Sequence, residues 1–173
     1  VCMVRRGVEF SKTQSFLACI ADIYTSIHKL DKQTLVEFKE ILVAAMDIDT
    51  FLSLQNGNLV NIFTQDELLA LGNEELDLTE FEGSRLFNKA MDMQSNSIQQ
   101  TFFVKVAHAF NNFKDYLRDT TIDIDYTYVW DLICHPNAKL FKKGLNLAIV
   151  EMSNNDITNN VNLVCPSNHY AST

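Results

Sequence analysis

The chain lacks the sequence features that define several large protein classes. None of its apolar runs reaches membrane-spanning length or has the form of a signal peptide. It also has no Asn-X-Ser/Thr sequon and no Gly-rich phosphate loop, HExxH or GxSxG motif. These absences argue against a transmembrane protein, a secreted glycoprotein and the enzyme families that carry those motifs.

Basic residues are scarce. The 173 residues include 14 Lys and Arg against 22 Asp and Glu, which gives a net charge of -8 and a pI near 4.9. Because an acidic chain repels polyphosphates, we do not expect a nucleic-acid partner. Eight acids and two cations fall within residues 64–93. We interpret this run as a solvated face, with a docking surface for a basic partner as the alternative.

Paired cysteines are missing as well. The four cysteines lie far apart and form no CxxC motif, so nothing in their spacing requires a disulfide, although two bonds in any of three connectivities remain open. Free thiols in a reducing compartment are the simpler expectation. Cys134, His135, Cys165 and His169 offer a ligand set for structural zinc. Adjacent Cys134 and His135 are poorly placed to share one metal ion, and we expect no metal or other cofactor.

Helical periodicity dominates residues 1–125. Hydrophobic residues make up 47% of the chain, and twelve Phe beside one Trp predict a core packed largely by Phe, Leu and Ile. The segment 59–63 is too short for the period of its apolar residues to distinguish a strand from a helix. Residues 55–58 (QNGN) carry the strongest turn signal. The predicted helices cover about residues 11–30, 34–46, 50–54, 79–93 and 98–118, with capping boxes at Thr34–Glu37, Thr64–Glu67 and Thr79–Glu82 and a cap at Ser95 or Ser97.

Residues 126–173 have a different pattern. Tyr126–Cys134 (YTYVWDLIC) is aromatic and β-branched, which favours a strand over a short buried helix. Leu145–Met152 and Val161–Cys165 are predicted strands that flank a polar loop. The loop is either a connecting turn or a recognition loop, and its candidate interaction residues are Asn154, Asn155, Asp156, Asn159 and Asn160.

The predicted fold class is therefore α+β, mainly α-helical with about five to six helices and a small C-terminal β element. A helical region over 1–125 and an aromatic, hairpin-like end over 126–173 are expected to form one compact unit. Since the chain begins at Val1 without Met and stops just after a predicted strand, we expect a fragment of a longer protein.

Three polar groups could carry chemistry. Asp47 with Asp49, and Asp123 with Asp125, have the spacing of paired carboxylates that hold a divalent cation or act as acid and base. Lys139, Lys142 and Lys143 form a small basic cluster that could contact phosphate. We interpret all three as solvated surface, and we expect no catalytic residues and no enzymatic activity.

A resemblance covers about the last 50 residues of the chain, Tyr126–Tyr170. Its motifs are YTYVWDLIC (126–134), Pro136-Asn137, LFxxGLNL (140–147), NDITNNV (155–161) and CPSNHY (165–170). In these motifs the chain resembles a segment of very large proteins from the nucleocytoplasmic large DNA viruses, the iridoviruses and their relatives. The resemblance implies a fragment of an internal virion protein of the scaffold or tape-measure type, and it implies no catalytic residues.

Two hypotheses of function follow. In the first, the chain is a structural virion protein, assembled in the host cytoplasm, that docks on capsid proteins through its acidic face and its C-terminal β element. In the second, it belongs to a virus-encoded transcription or nucleic-acid-processing assembly. The first hypothesis predicts salt-resistant association with shell proteins, and the second predicts salt-sensitive binding to nucleic acid.

Overall fold

The computed structural model describes residues 7–64, 77–92, 97–152, 158 and 161–164. Within these ranges the chain is mainly α-helical, with a small antiparallel sheet near its C-terminal end. Short 3₁₀ turns lie at Leu54–Gly57 and Leu78–Phe81. The α-helices of this part of the chain are α1 (Ser15–His28), α2 (Leu35–Ala44), α3 (Ile48–Ser53), α4 (Asn58–Phe63), α5 (Arg85–Met91), α6 (Ser97–Arg118) and α7 (Tyr126–Cys134). The predicted fold class is confirmed.

Helix α6 is the element around which the others pack. Helices α2, α3, α4 and α5 all contact it. Its buried face follows the helical period and consists of Phe103, Val106, Ala107, Ala109, Phe110, Phe113 and Leu117. Phe102 lies one turn before Val106 but is not buried, since Ser97–Phe102 is exposed throughout. Phe102 keeps 45% of its surface exposed.

Leucine and phenylalanine are the commonest large residues of the described core, as the composition predicts. The Phe51 ring packs against those of Phe110 and Phe113, with centroids 5.6 and 5.5 Å away. Phe63 packs edge-on against Phe113 at 4.9 Å. Such tilted and T-shaped ring pairs add about 0.5–1.5 kcal/mol each beyond the burial of their area. These contacts hold α3 and α4 against the middle of α6.

The start of α2 is confirmed in atomic detail. The Thr34 side chain accepts a hydrogen bond from the Glu37 N–H, and the Glu37 carboxylate accepts one from the Thr34 N–H. This reciprocal arrangement is the predicted capping box. The box predicted at residues 64–67 falls almost entirely outside the described residues.

The helix predicted over residues 79–93 is shorter and starts later. Gly83 does not lie inside it but adopts a left-handed φ of 87° between the 3₁₀ turn and α5. Ser84 then caps α5, with its hydroxyl accepting from the Phe87 N–H at 3.0 Å. The positive φ, which glycine adopts without steric cost, ends one element and allows the next to begin at a new angle.

The turn predicted at residues 55–58 is confirmed. Gln55, Asn56 and Gly57 have consecutive positive φ values of 47°, 54° and 83°. The Gln55 N–H donates to the Asp131 carboxylate at 2.8 Å, and the Gln55 side chain donates to the Thr127 carbonyl. These bonds to α7 hold the turn in its uncommon backbone conformation. The ambiguous residues that follow form α4.

Residues 126–134 form a helix, α7, and the favoured strand prediction is wrong. The Asp125 carboxylate caps α7 by accepting from the Thr127 N–H at 3.1 Å. Val129, Leu132 and Ile133 are fully buried at helical spacing. Burial of this apolar stripe outweighs the modest strand preference of β-branched and aromatic residues.

The C-terminal sheet pairs β1 (Ile149–Met152) with β2 (Val161–Val164). Strand β1 begins four residues later than predicted, because Leu145 and Leu147 pack on the core and the Leu145 N–H donates to the Cys134 carbonyl at 3.0 Å. Cys165, the predicted last residue of the second strand, lies outside the described residues. The β element itself is confirmed.

Candidate functional site

The predicted interaction loop cannot be placed, but the strands on either side of it can. Asn154, Asn155, Asp156, Asn159 and Asn160 all lie outside the described residues. The β1–β2 register pairs Val150 with Leu163 and Met152 with Val161. Directly opposed residues share one face of an antiparallel sheet, as do residues two apart on one strand, so Val150, Val161 and Leu163 belong to the same face.

That face, called here the outer hairpin face, leaves large apolar side chains open to solvent. Val150 is 56% exposed, Leu163 64% and Val161 48%. Scattered apolar residues are normal on a protein surface, but three on the same face of one hairpin form a contiguous patch. A patch of this kind is suited to contact with another protein.

The opposite face of the hairpin turns toward α7. Ile149 and Val164 are half-buried there, and the Tyr126 hydroxyl on α7 donates to the Glu151 carboxylate at 2.7 Å. This hydrogen bond to an anionic acceptor raises the pKa of Tyr126, because it stabilises the protonated phenol. The contact ties the sheet to α7 and leaves the outer hairpin face open.

The paired carboxylates act as helix caps. Asp47 caps α3 by accepting from the Thr50 N–H at 2.7 Å. Partial burial raises the pKa of Asp47, but its hydrogen bonds with Thr50 outweigh burial and the net pKa is lowered. Asp49 instead accepts from backbone N–H groups at the start of α5. Since the two carboxylates serve different helices, the structure does not bring them together around a cation.

Asp125 likewise caps α7, and Asp123 is exposed. In the described ranges no three His, Cys, Asp or Glu side chains are grouped as metal ligands would be. Of the four ligands proposed for zinc, only Cys134 and His135 are among the described residues. Cys134 is buried in the core, where desolvation raises its pKa to about 12 and disfavours the thiolate that binds metal. Cys165 and His169 lie outside the described residues.

The basic cluster is split between two roles. The Lys139 ammonium donates to the Ala44 carbonyl at 2.6 Å, where it satisfies the C-terminal end of α2. Lys142 and Lys143 are exposed. One of the three lysines is thus used within the fold, which weakens the interpretation of the cluster as a phosphate contact.

Sequence reasoning missed a buried polar cluster. Lys39 and Gln14 are each 1% exposed. The Lys39 ammonium donates to the Gln14 side-chain oxygen at 3.1 Å and to the Asp119 carbonyl at 2.5 Å. Burial lowers the pKa of Lys39. The sequence signal for the burial of Lys39 is its position four residues after Leu35, on the buried face of α2.

An apolar groove is a second surface that the sequence did not reveal. It has a volume of about 630 Å³ and lies between α3, α5 and the first turns of α6. Its apolar lining comes from Leu52, Leu86, Ala90, Ile98 and Phe102. These residues come from three separate elements, and only the fold brings them together.

No family model, curated protein or solved structure matches the chain. Among the residues that the structure describes, no helix is both long and apolar enough to cross a membrane.

Proposed function

We propose that the chain is a structural component of a large DNA virus particle, an internal scaffold or tape-measure protein that docks on shell proteins. The outer hairpin face carries this proposal, because it exposes Val150, Val161 and Leu163 within the segment that resembles internal virion proteins. The particle would be assembled in the host cytoplasm, and viral capsid proteins would be the partners.

The hairpin has physical reasons to gain from a partner. A two-stranded sheet is marginally stable by itself in water. Each strand of this sheet also has one edge that pairs with no other strand in the described chain. A partner that covers the outer hairpin face would bury three half-exposed apolar side chains, each contributing about 1 kcal/mol. A partner strand added to one edge would in addition satisfy unpaired backbone groups.

The charge of the chain favours a protein partner over nucleic acid. A net charge of -8 opposes binding to a polyanion, and Lys139 is bonded within the fold. The alternative function, a part of a transcription or nucleic-acid-processing assembly, therefore depends on the two exposed lysines Lys142 and Lys143.

Quantitative mass spectrometry of purified particles tests the proposal. Particles would be measured intact and after gentle removal of the outer shell, with the chain counted per copy of the major capsid protein. The scaffold proposal predicts a fixed ratio to the capsid protein that follows the shell through the treatment. A few copies that stay with the genome and polymerase would contradict it and support the alternative, and absence from particles would contradict both.

A further inference from the structure

The groove between α3, α5 and α6 is lined by apolar side chains, two of which are largely exposed to solvent. Ile98 is 73% exposed and Phe102 is 45% exposed, and both belong to the exposed first turns of α6. Leu52 and Leu86 line the same groove from α3 and α5. Apolar side chains gathered in a concave site of about 630 Å³ resemble the grooves that receive the apolar face of a helix.

The charges beside this groove set it apart from the rest of the acidic chain. The charged residues of its lining are Asp49, Arg85 and Lys89. The Asp49 carboxylate accepts from the Arg85 N–H at 2.8 Å and the Leu86 N–H at 3.0 Å, so its charge is largely committed to the start of α5.

The two cations remain directed to solvent. Arg85 Nε lies 3.8 Å from Asp49, and the Arg85 side chain is 93% exposed. Lys89, one helical turn later, is exposed and has no ion pair within the described ranges. By contrast, Lys114 pairs with Glu80 at 2.6 Å and Arg118 with Glu40 at 3.0 Å. Among the described residues that line the groove, two cations thus stand against one acid, on a chain of net charge -8.

We propose that this groove binds an acidic amphipathic helix of a partner protein. The apolar face of that helix fills the space between Leu52, Leu86 and Ile98, and its carboxylates pair with Arg85 and Lys89. Acids three or four residues apart on the partner match two cations one turn apart on α5. A symmetric contact with a second copy is disfavoured, because a two-fold axis would bring identical cationic rims together. This inference does not depend on the proposed function.

Fluorescence anisotropy with three labelled helical peptides tests the proposal. The peptides share one apolar face with Leu at i, i+3, i+4 and i+7, and carry Glu, Gln or Lys beside it. The Glu peptide should bind about three- to tenfold more tightly than the Gln peptide, as two exposed ion pairs allow. The Lys peptide should bind more weakly still. In 0.5 M NaCl the three affinities should converge, because salt screens exposed pairs.

Variants of exposed residues locate the site without disturbing the fold. Arg85→Glu with Lys89→Glu should remove the preference for the Glu peptide, and Ile98→Asp should weaken all three peptides at least about tenfold. Lys142→Glu with Lys143→Glu, which changes the net charge equally at another surface, should leave binding unchanged. Absence of binding, affinities independent of peptide charge, or dimerisation that Ile98→Asp abolishes would overturn the proposal.

Discussion

At the scale of single residues, Lys39 and Gln14 show how a buried polar pair connects the start of α1, the middle of α2 and the chain that follows α6. The Gln14 amide donates to the carbonyls of Asp119 and Ile122, at 2.8 and 3.0 Å. The Lys39 ammonium donates to the Gln14 side-chain oxygen and shares the Asp119 carbonyl. A buried ammonium is costly unless such acceptors surround it. The pair therefore joins α1 and α2 to the chain that leaves α6.

Replacing Gln14 with Met should destabilise the fold. The change keeps the side-chain length but removes two donated hydrogen bonds and one acceptor beside a buried charge, at a cost of about 2–3 kcal/mol. Urea unfolding followed by circular dichroism measures this as a lowered midpoint. The control is Gln100→Met, at an exposed position of α6, which should stay within about 0.5 kcal/mol of wild type. Equal midpoints for the two variants would contradict the assigned role of Gln14.

At the scale of elements, the start of a helix is predictable where the capping residues lie close together in the sequence. The box at Thr34–Glu37 lies within four consecutive residues, and the long apolar stripe of α6 is likewise a property of one segment. The structure confirms both. The start of α7 is also capped locally, by Asp125, but the aromatic and β-branched composition of residues 126–134 favours a strand and outweighs that signal in the sequence.

Features made by distant segments were not predictable in this way. The groove joins residues of α3, α5 and α6, which lie far apart in the sequence. Lys39 is buried because the carbonyl of Asp119, eighty residues later, lies within its reach. The predicted helix over residues 79–93 includes Gly83, because the period of apolar residues does not show where the backbone changes direction. The left-handed φ of Gly83 marks that change.

The capping box of α2 predicts a dependence of stability on pH. The hydrogen bond from the Thr34 N–H lowers the pKa of Glu37 in the folded chain. A carboxyl whose pKa is lower when folded stabilises the fold above its unfolded pKa of about 4.3, and this contribution is lost as the pH falls through the folded pKa. Glu37→Gln should therefore be less stable than wild type at pH 7, with the difference shrinking towards pH 3.

Chemical denaturation at pH 7 and pH 3 measures that difference. The control is Asp31→Asn, which removes an exposed acid next to α2, and its effect should change less between the two pH values. If Glu37→Gln lowers the free energy of unfolding equally at both pH values, the charge of the carboxylate is not what strengthens the cap.

At the scale of the whole molecule, a Phe-rich helical core presents two apolar surfaces of different electrostatic character. The outer hairpin face exposes Val150, Val161 and Leu163, and the groove is bordered by Arg85 and Lys89. We expect the hairpin to bind through apolar burial, which salt does not weaken. We expect the groove to bind with a measurable salt dependence. The two surfaces can therefore be separated by ionic strength as well as by mutation.

The most direct test of the proposed docking is the affinity of the chain for the major capsid protein of the large DNA virus particle that the proposal assigns it to, at 0.15 and 1 M NaCl. Val150→Lys with Leu163→Lys should raise the Kd at least about tenfold, because it places charge where apolar burial is required. Ile27→Lys with Val36→Lys, equally exposed apolar positions on α1 and α2, should change it less than about twofold. Wild-type affinity should be similar at both salt concentrations. Equal Kd values for the two double variants, or wild-type binding that collapses in 1 M NaCl, would contradict docking through the hairpin.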